Sequence, residues 1–320
     1  MASVSSMQSS VAGAAAPVAT AGIGLGALAF GLFSLMDALV KWLSASYPVP
    51  QILVCNALFA LVPVGAVVVR RGGLPQLRTR RLGLHLVRGL LGTTGGFLAF
   101  YAFSRLPLAD AYAIIFATPL LITALSVPFL GEAVGWRRWS AVLVGFIGVL
   151  VMLRPGLAPI GTGSLAALGA ACASACAILL VRKLSVTETT TSIAFYSNLT
   201  AVVLMAVVFG PTFVVPSPVD LALMATSGLI GGTALLVLIA AYRRSPAALV
   251  APFQYSQMLW AILLGALVWG DLPAPVMLFG ASIVAGSGLF ILYRETTLGR
   301  RPTASLHPNA AAPKPTPTAA

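Results

Sequence analysis

Residues 89–131, GLLGTTGGFLAFYAFSRLPLADAYAIIFATPLLITALSVPFLG, and residues 228–270, GLIGGTALLVLIAAYRRSPAALVAPFQYSQMLWAILLGALVWG, align without a gap at an offset of 139. Eleven of the 43 positions are identical, among them Gly89/Gly228, Thr94/Thr233, Arg105/Arg244, Pro107/Pro246, Ala109/Ala248 and Gly131/Gly270. Each copy reads as two long apolar helices joined by a short turn that carries Arg and Pro. Working outward, weaker matches continue the repeat. Val40–Ser44 resembles Val181–Ser185 at offset 141, and Ala141/Ala281, Gly148/Gly288 and Arg154/Arg294 match at offset 140. A repeated unit of apolar helices predicts a chain built from two similar halves.

Composition sets the solvent of those helices. The chain has 320 residues, of which 59% are hydrophobic and only 8% charged, and its mean hydropathy is +0.98. Soluble domains carry about 25% charged residues. A chain this apolar could not cover its surface in water. The class is therefore an all-α polytopic membrane protein. The net charge of +12 does not point to nucleic acid, because the basic residues sit at helix ends and not along one soluble face. Cys55, Cys172 and Cys176 fall in apolar stretches and read as small packing residues. With only His85 and His307 besides, there is no metal-ligand set, and no cofactor is expected.

Ten apolar stretches are long enough to cross a bilayer. They lie near 21–43, 50–69, 82–104, 107–130, 136–153, 162–182, 190–209, 219–242, 246–269 and 274–293. Residues 1–19 carry no positive n-region of a secretory signal and read as a disordered N-terminus. The Pro/Ala/Thr-rich tail, 296–320, reads the same way. Between them lie two units, 20–154 and 160–295, of five helices each. If the N-terminus is cytoplasmic, Lys41, Arg105 and Arg154 fall on the outer side and Arg88 inside the third helix. The other 15 of the 19 Lys and Arg residues are then cytoplasmic. That bias predicts both termini inside. Five is odd, so the second unit is expected to be inverted relative to the first, an arrangement suited to opening one site to alternate faces.

Polar groups inside the spans mark the candidate site. Asp37 and Lys41 stand one helical turn apart and are spaced to form an i,i+4 ion pair. Arg88 shares a stripe with Arg81 and His85 on the third helix, and Asn56 places an amide in the second. The fourth and ninth helices carry internal prolines, Pro119 and Pro252, expected to kink them. Tyr112 and Phe116 share a face of the fourth helix with Pro119. Gln254 and Gln257 share a face of the ninth, flanked by Tyr255 and Trp260. Two amides and several rings at mid-membrane suit a pocket for a flat or polar organic solute; the competing reading is helix packing through interhelical hydrogen bonds. Spacings such as Gly22-x-x-x-Gly26, Gly92-x-x-x-Gly96 and Gly228-x-x-x-Gly232 read as close helix contacts. No G-x-x-x-x-G-K-[ST] motif occurs, and the acidic residues do not cluster as a membrane-embedded enzyme would require.

Residues 105–120, RLPLADAYAIIFATPL, with Leu130-Gly131-Glu132 and Trp136-Arg137-Arg138-Trp139, resemble the first repeat of the EamA group of the drug/metabolite transporter superfamily. Residues 251–255, APFQY, with Trp260-Ala261 and Gly270-Asp271-Leu272-Pro273, are similar to its second. The likeness covers about residues 20–295. It implies ten helices in two inverted halves, alternating access, a central cavity, no drive from ATP, and residence in a bacterial inner membrane. Asp37 and Lys41, with the Ser185/Thr187-Glu188 turn, resemble the branch that takes up vitamins and nucleoside cofactors such as riboflavin or S-adenosylmethionine. Other relatives export amino acids, metallophores or drugs, and many carry Arg where this chain has Asn56. The expectation is thus a carrier of a small organic solute, not an enzyme. Its partners are the lipid bilayer, its solute and, through Asp37, protons as a candidate coupling ion. Direction of transport and oligomeric state stay open.

Overall fold

Lipid offers no hydrogen-bond partner to backbone N–H and C=O groups, so long apolar segments satisfy them internally as helix. The computed structural model describes residues 2–70, 72–130, 136–153, 160–184, 187–244 and 250–298. Every regular element among them is helical. The α-helices are α1 (Ala2–Leu43), α2 (Val49–Arg70), α3 (Leu82–Arg105), α4 (Leu108–Ile115), α5 (Thr118–Leu130), α6 (Trp136–Leu153), α7 (Thr162–Leu184), α8 (Thr190–Phe209), α9 (Pro218–Arg244), α10 (Ser256–Trp269) and α11 (Pro275–Leu298). Short 3-10 turns occupy Leu74–Leu77, Gly210–Thr212 and Ala251–Tyr255.

Among the described residues, seven segments are long and apolar enough to cross a membrane, α4 and α5 counting as one of them. Three shorter apolar helices, Trp139–Leu153, Phe253–Trp269 and Pro275–Ile291, accompany them. Large side chains such as Leu150, Val207 and Leu267 point outward, as a lipid solvent permits.

Three expectations need correction. Residues 2–19 are helical and extend α1, in keeping with the high helix propensity of their alanines. The fourth apolar stretch is two helices, broken between Ile115 and Thr118. Cys172 is exposed and does not serve a helix contact, whereas Cys55 and Cys176 are half-buried.

The packing is paired. α1 lies on α9 and α3 on α7; α2 lies on α9 and α3 on α8; α5 lies on α7 and α1 on α10. α2 also meets α8, and α6 meets α11. Glycines make these approaches close. A Cβ on Gly148 of α6 would come 2.9 Å from the Gly280 carbonyl of α11, and one on Gly228 of α9 would come 2.6 Å from the Asn56 carbonyl of α2. α10 ends at Gly270, which takes φ +71°, a conformation that glycine adopts without strain.

Candidate functional site

Proline 119 shapes the centre of the molecule. Lacking an N–H, it leaves the Ile115 carbonyl without its helical donor, and α4 stops there. The Thr118 hydroxyl donates to that carbonyl at 2.6 Å, and Ala117 N–H donates to Ile114 O at 3.0 Å, closing the break. Pro119 then sits in the first turn of α5, where a missing N–H costs nothing. Pro252 likewise occupies the first turn of the Ala251–Tyr255 segment that precedes α10. Residues 245–249, including the start of the ninth predicted stretch, lie outside the described residues.

Around these two irregular stretches α1, α4 and α10 converge on one polar cluster. The Tyr112 hydroxyl donates to Asp37 Oδ2. Gln257 Nε2 donates to the Tyr112 oxygen at 3.3 Å. Asp37 is 6% exposed, Tyr112 4% and Gln257 8%. Rings continue the cluster: Phe103 lies 5.4 Å from Tyr112, Tyr112 lies 5.9 Å from Phe116, and Phe116 meets Tyr255 edge to face at 5.2 Å. Beyond Phe116 and Tyr255 opens a cavity of about 500 Å³ between α10 and α11, also lined by Phe253, Ser256, Met258, Ile262, Leu278 and Ala281. The structure therefore brings Asp37, Tyr112, Phe116, Tyr255 and Gln257 together.

Lys41 is not part of that cluster, and the i,i+4 pair with Asp37 does not form. Its Nζ donates to Leu106 O at 2.8 Å and to Asp271 Oδ2 at 3.2 Å, and lies 5.0 Å from the centroid of Trp269. The chain crossing from α3 to α4 and the one from α10 to α11 deliver an acceptor each, and together they outbid a carboxylate one turn away. This ties the last turn of α1 to two connections at one end of the bundle. On that end too, the Tyr47 hydroxyl donates to Asp220 at 2.7 Å, and Gln51 exchanges two hydrogen bonds with the backbone of Val214.

At the opposite end of α3, His85 is fully buried with Nε2 3.2 Å from Glu188 Oε2, off the line of a hydrogen bond. Thr79 Oγ1 donates to Glu188 at 3.0 Å, and the Tyr196 hydroxyl donates to Leu77 O at 3.0 Å. Desolvation pushes the Glu188 carboxyl up, but His85, Thr79 and Ser192 outweigh it and hold the group below the usual carboxylate range. These bonds fasten the α2–α3 connection to the α7–α8 turn.

The other predicted residues stand apart. Asn56 donates to Ser227 at 3.3 Å between α2 and α9, and Arg88 donates to Ile193 O at 3.4 Å between α3 and α8. Trp260 is 42% exposed and packs against Gly31 of α1. Gln254 is half-buried on the 3-10 turn. Asp271, which matters most at the Lys41 end, was missed as a partner. Its signal was its place directly after Gly270, at the end of the second copy of the repeat.

The described residues thus form a helical bundle with a buried polar cluster where α1, α4 and α10 meet, as a membrane carrier would need, and the comparisons with known proteins agree. Residues 4–154 match the model of the EamA-like transporter family. The S-adenosylmethionine uptake transporter of Rickettsia felis is 30% identical over 223 residues, 70% of this chain and 76% of that protein. The riboflavin transporter of Vibrio cholerae serotype O1 is 29% identical over 273 residues, 84% of this chain and 92% of that one. The pseudopaline exporter CntI of Pseudomonas aeruginosa is 27% identical over 271 residues, 82% and 93% of the two chains. A protein of known crystal structure shares the fold with a TM-score of 0.60 at 21% identity, over 88% of this chain and 98% of that one. The chain belongs to the EamA-like transporter family. It is a multi-pass membrane transporter of small organic metabolites.

Proposed function

We propose that the protein is a secondary carrier of the bacterial inner membrane that works by alternating access. Its ten spans form two inverted halves, 20–154 and 160–295, with both termini in the cytoplasm. The observation that carries this reading is the contact between Phe116 and Tyr255. These residues are mates in the repeat, 139 positions apart, and they touch at 5.2 Å beside the Asp37–Tyr112–Gln257 cluster. Mates that meet lie on the axis relating the two halves, where carriers of this design hold their solute. The paired packing supports the same symmetry, since the α1–α9 contact has its counterpart in α3–α7 and α2–α9 in α3–α8.

In this state the Lys41–Asp271 pair closes the outer face. The solute is of vitamin or cofactor size, taken up as the uptake carriers of S-adenosylmethionine and riboflavin take up theirs. Asp37 is the group through which protons would couple. Export is the second reading, favoured by the likeness to a pseudopaline exporter.

Purified protein in liposomes, loaded with a broad metabolite panel, should exchange at least one member across the membrane. Gln257→Leu should cut that exchange about tenfold or more while leaving the protein folded and monodisperse, because it strips the donor from the Tyr112–Asp37 cluster. Unchanged exchange in Gln257→Leu would assign these amides to helix packing, as in a structural or signalling membrane protein.

A further inference from the structure

We infer that the carried solute is an organic cation that bears a flat ring system, its charge met by Asp37 and its ring held against Phe116 and Tyr255. This rests on the carrier reading above and names its substrate class.

The first argument is charge. Asp37 is buried, and its partners among the described residues are neutral: the Tyr112 hydroxyl, itself bonded by Gln257. The basic side chains nearest in sequence are committed elsewhere. Lys41 is held by Asp271 and Leu106 O, Arg88 reaches Ile193 O between α3 and α8, and Arg105 stacks over Tyr101 at 5.3 Å. A carboxylate in the bundle without a fixed counter-ion is costly when ionised. A positive solute supplies the missing charge and removes it again on release. An anion at the same place would meet a like charge.

The second argument is the cavity. Its walls are aromatic and aliphatic, and its two serine hydroxyls are already bonded, Ser256 to Phe253 O at 2.6 Å and Ser282 to Phe279 O at 2.7 Å. The Tyr255 hydroxyl, buried and without a hydrogen-bond partner among the described residues, is left to meet one polar atom of the solute, and a flat ring system gains stacking on Phe116 and Tyr255. The volume of about 500 Å³ falls within the range of small-molecule sites.

The third argument joins the two. Phe116 lines the cavity and also packs on Tyr112, which covers Asp37. A solute whose body lies on Phe116 has its head directed at the ring that guards the carboxylate. Turning Tyr112 aside exchanges its hydroxyl for the solute's positive charge.

The test is counterflow in proteoliposomes with solutes paired by charge. S-adenosylmethionine carries a sulfonium. S-adenosylhomocysteine has the same flat body without that charge, and riboflavin is flat and neutral. The expected result is a preference of about tenfold or more for the cation over its neutral twin, one order of magnitude in affinity. Asp37→Asn should lose roughly a hundredfold for the cation and abolish its preference over the neutral twin, as truncating one side of a buried charge pair does. Asp37→Glu, which keeps the charge, should recover part of the loss and guards against mere misfolding. Equal handling of the two adenosyl compounds, or a preference for riboflavin, would overturn the cation assignment and leave the carrier reading standing. If nothing in the broad panel is exchanged, the carrier reading itself falls.

Discussion

Lys41 and Asp37 illustrate what a sequence discloses about single residues. Both stood out, because charges within apolar helices are rare and functional. Their partners did not, since Asp271 is 230 positions from Lys41 and Tyr112 is 75 from Asp37. Local spacing offered an i,i+4 pair, and tertiary packing supplied better acceptors. The same reason separates Asn56 and Arg88 from the central site: a polar atom in lipid must bond something, and a neighbouring helix serves as well as a solute. The Lys41–Asp271 pair also yields a residue-scale prediction. Its side chains are 12% and 34% exposed, so its net strength is on the order of 1 kcal/mol. Asp271→Asn should raise the population open at that end about fivefold. Labelling of a cysteine placed near Tyr112 by a membrane-impermeant reagent should speed up accordingly. The exchanged pair Lys41→Asp with Asp271→Lys should restore the slow rate, and failure to do so would deny the pair a closing role.

Among the elements, the broken helix is the one the sequence half revealed. Pro119 announced an irregularity, and the long apolar run 107–130 announced a membrane segment. The break itself falls before the proline, at Phe116–Ala117, because proline deprives the carbonyl four residues upstream and Thr118 can reach back to it. That local repair is invisible to hydropathy. Thr118→Val keeps the shape and removes the hydroxyl, leaving the half-buried Ile115 carbonyl without that donor at a cost of about 1 kcal/mol. Thermal unfolding in detergent should show a lower midpoint for Thr118→Val than for Thr118→Ser, which keeps the donor. Equal midpoints would mean that the break is held by packing alone. α6 runs over the bounds that hydropathy sets for it, 136–153, whereas α10 begins only at Ser256, because the Ala251–Tyr255 turn precedes it.

At the scale of the whole molecule, the duplication was readable from a handful of glycines, arginines and prolines, and the paired packing of α1 with α9 and α3 with α7 follows it. The cavity between α10 and α11 was not readable, because it arises where α11 turns to α6 through Gly148 and Gly280. Orientation rests on the basic residues and is testable apart from transport. In a background freed of Cys55, Cys172 and Cys176, Ser46→Cys should react with an impermeant maleimide added outside intact cells, and Thr79→Cys only after the membrane is opened. The reverse pattern would invert the molecule.

One consequence follows from closing an end of the bundle with an ion pair that is a third exposed on its acidic side. Salt weakens such a pair, the screening length shrinking from about 10 Å at 0.1 M to about 3 Å at 1 M. The contact of fully buried His85 with Glu188 at the other end is screened much less. If the two ends open in turn as proposed, salt added on the Lys41–Asp271 side alone should speed opening there and leave the Glu188 end unchanged.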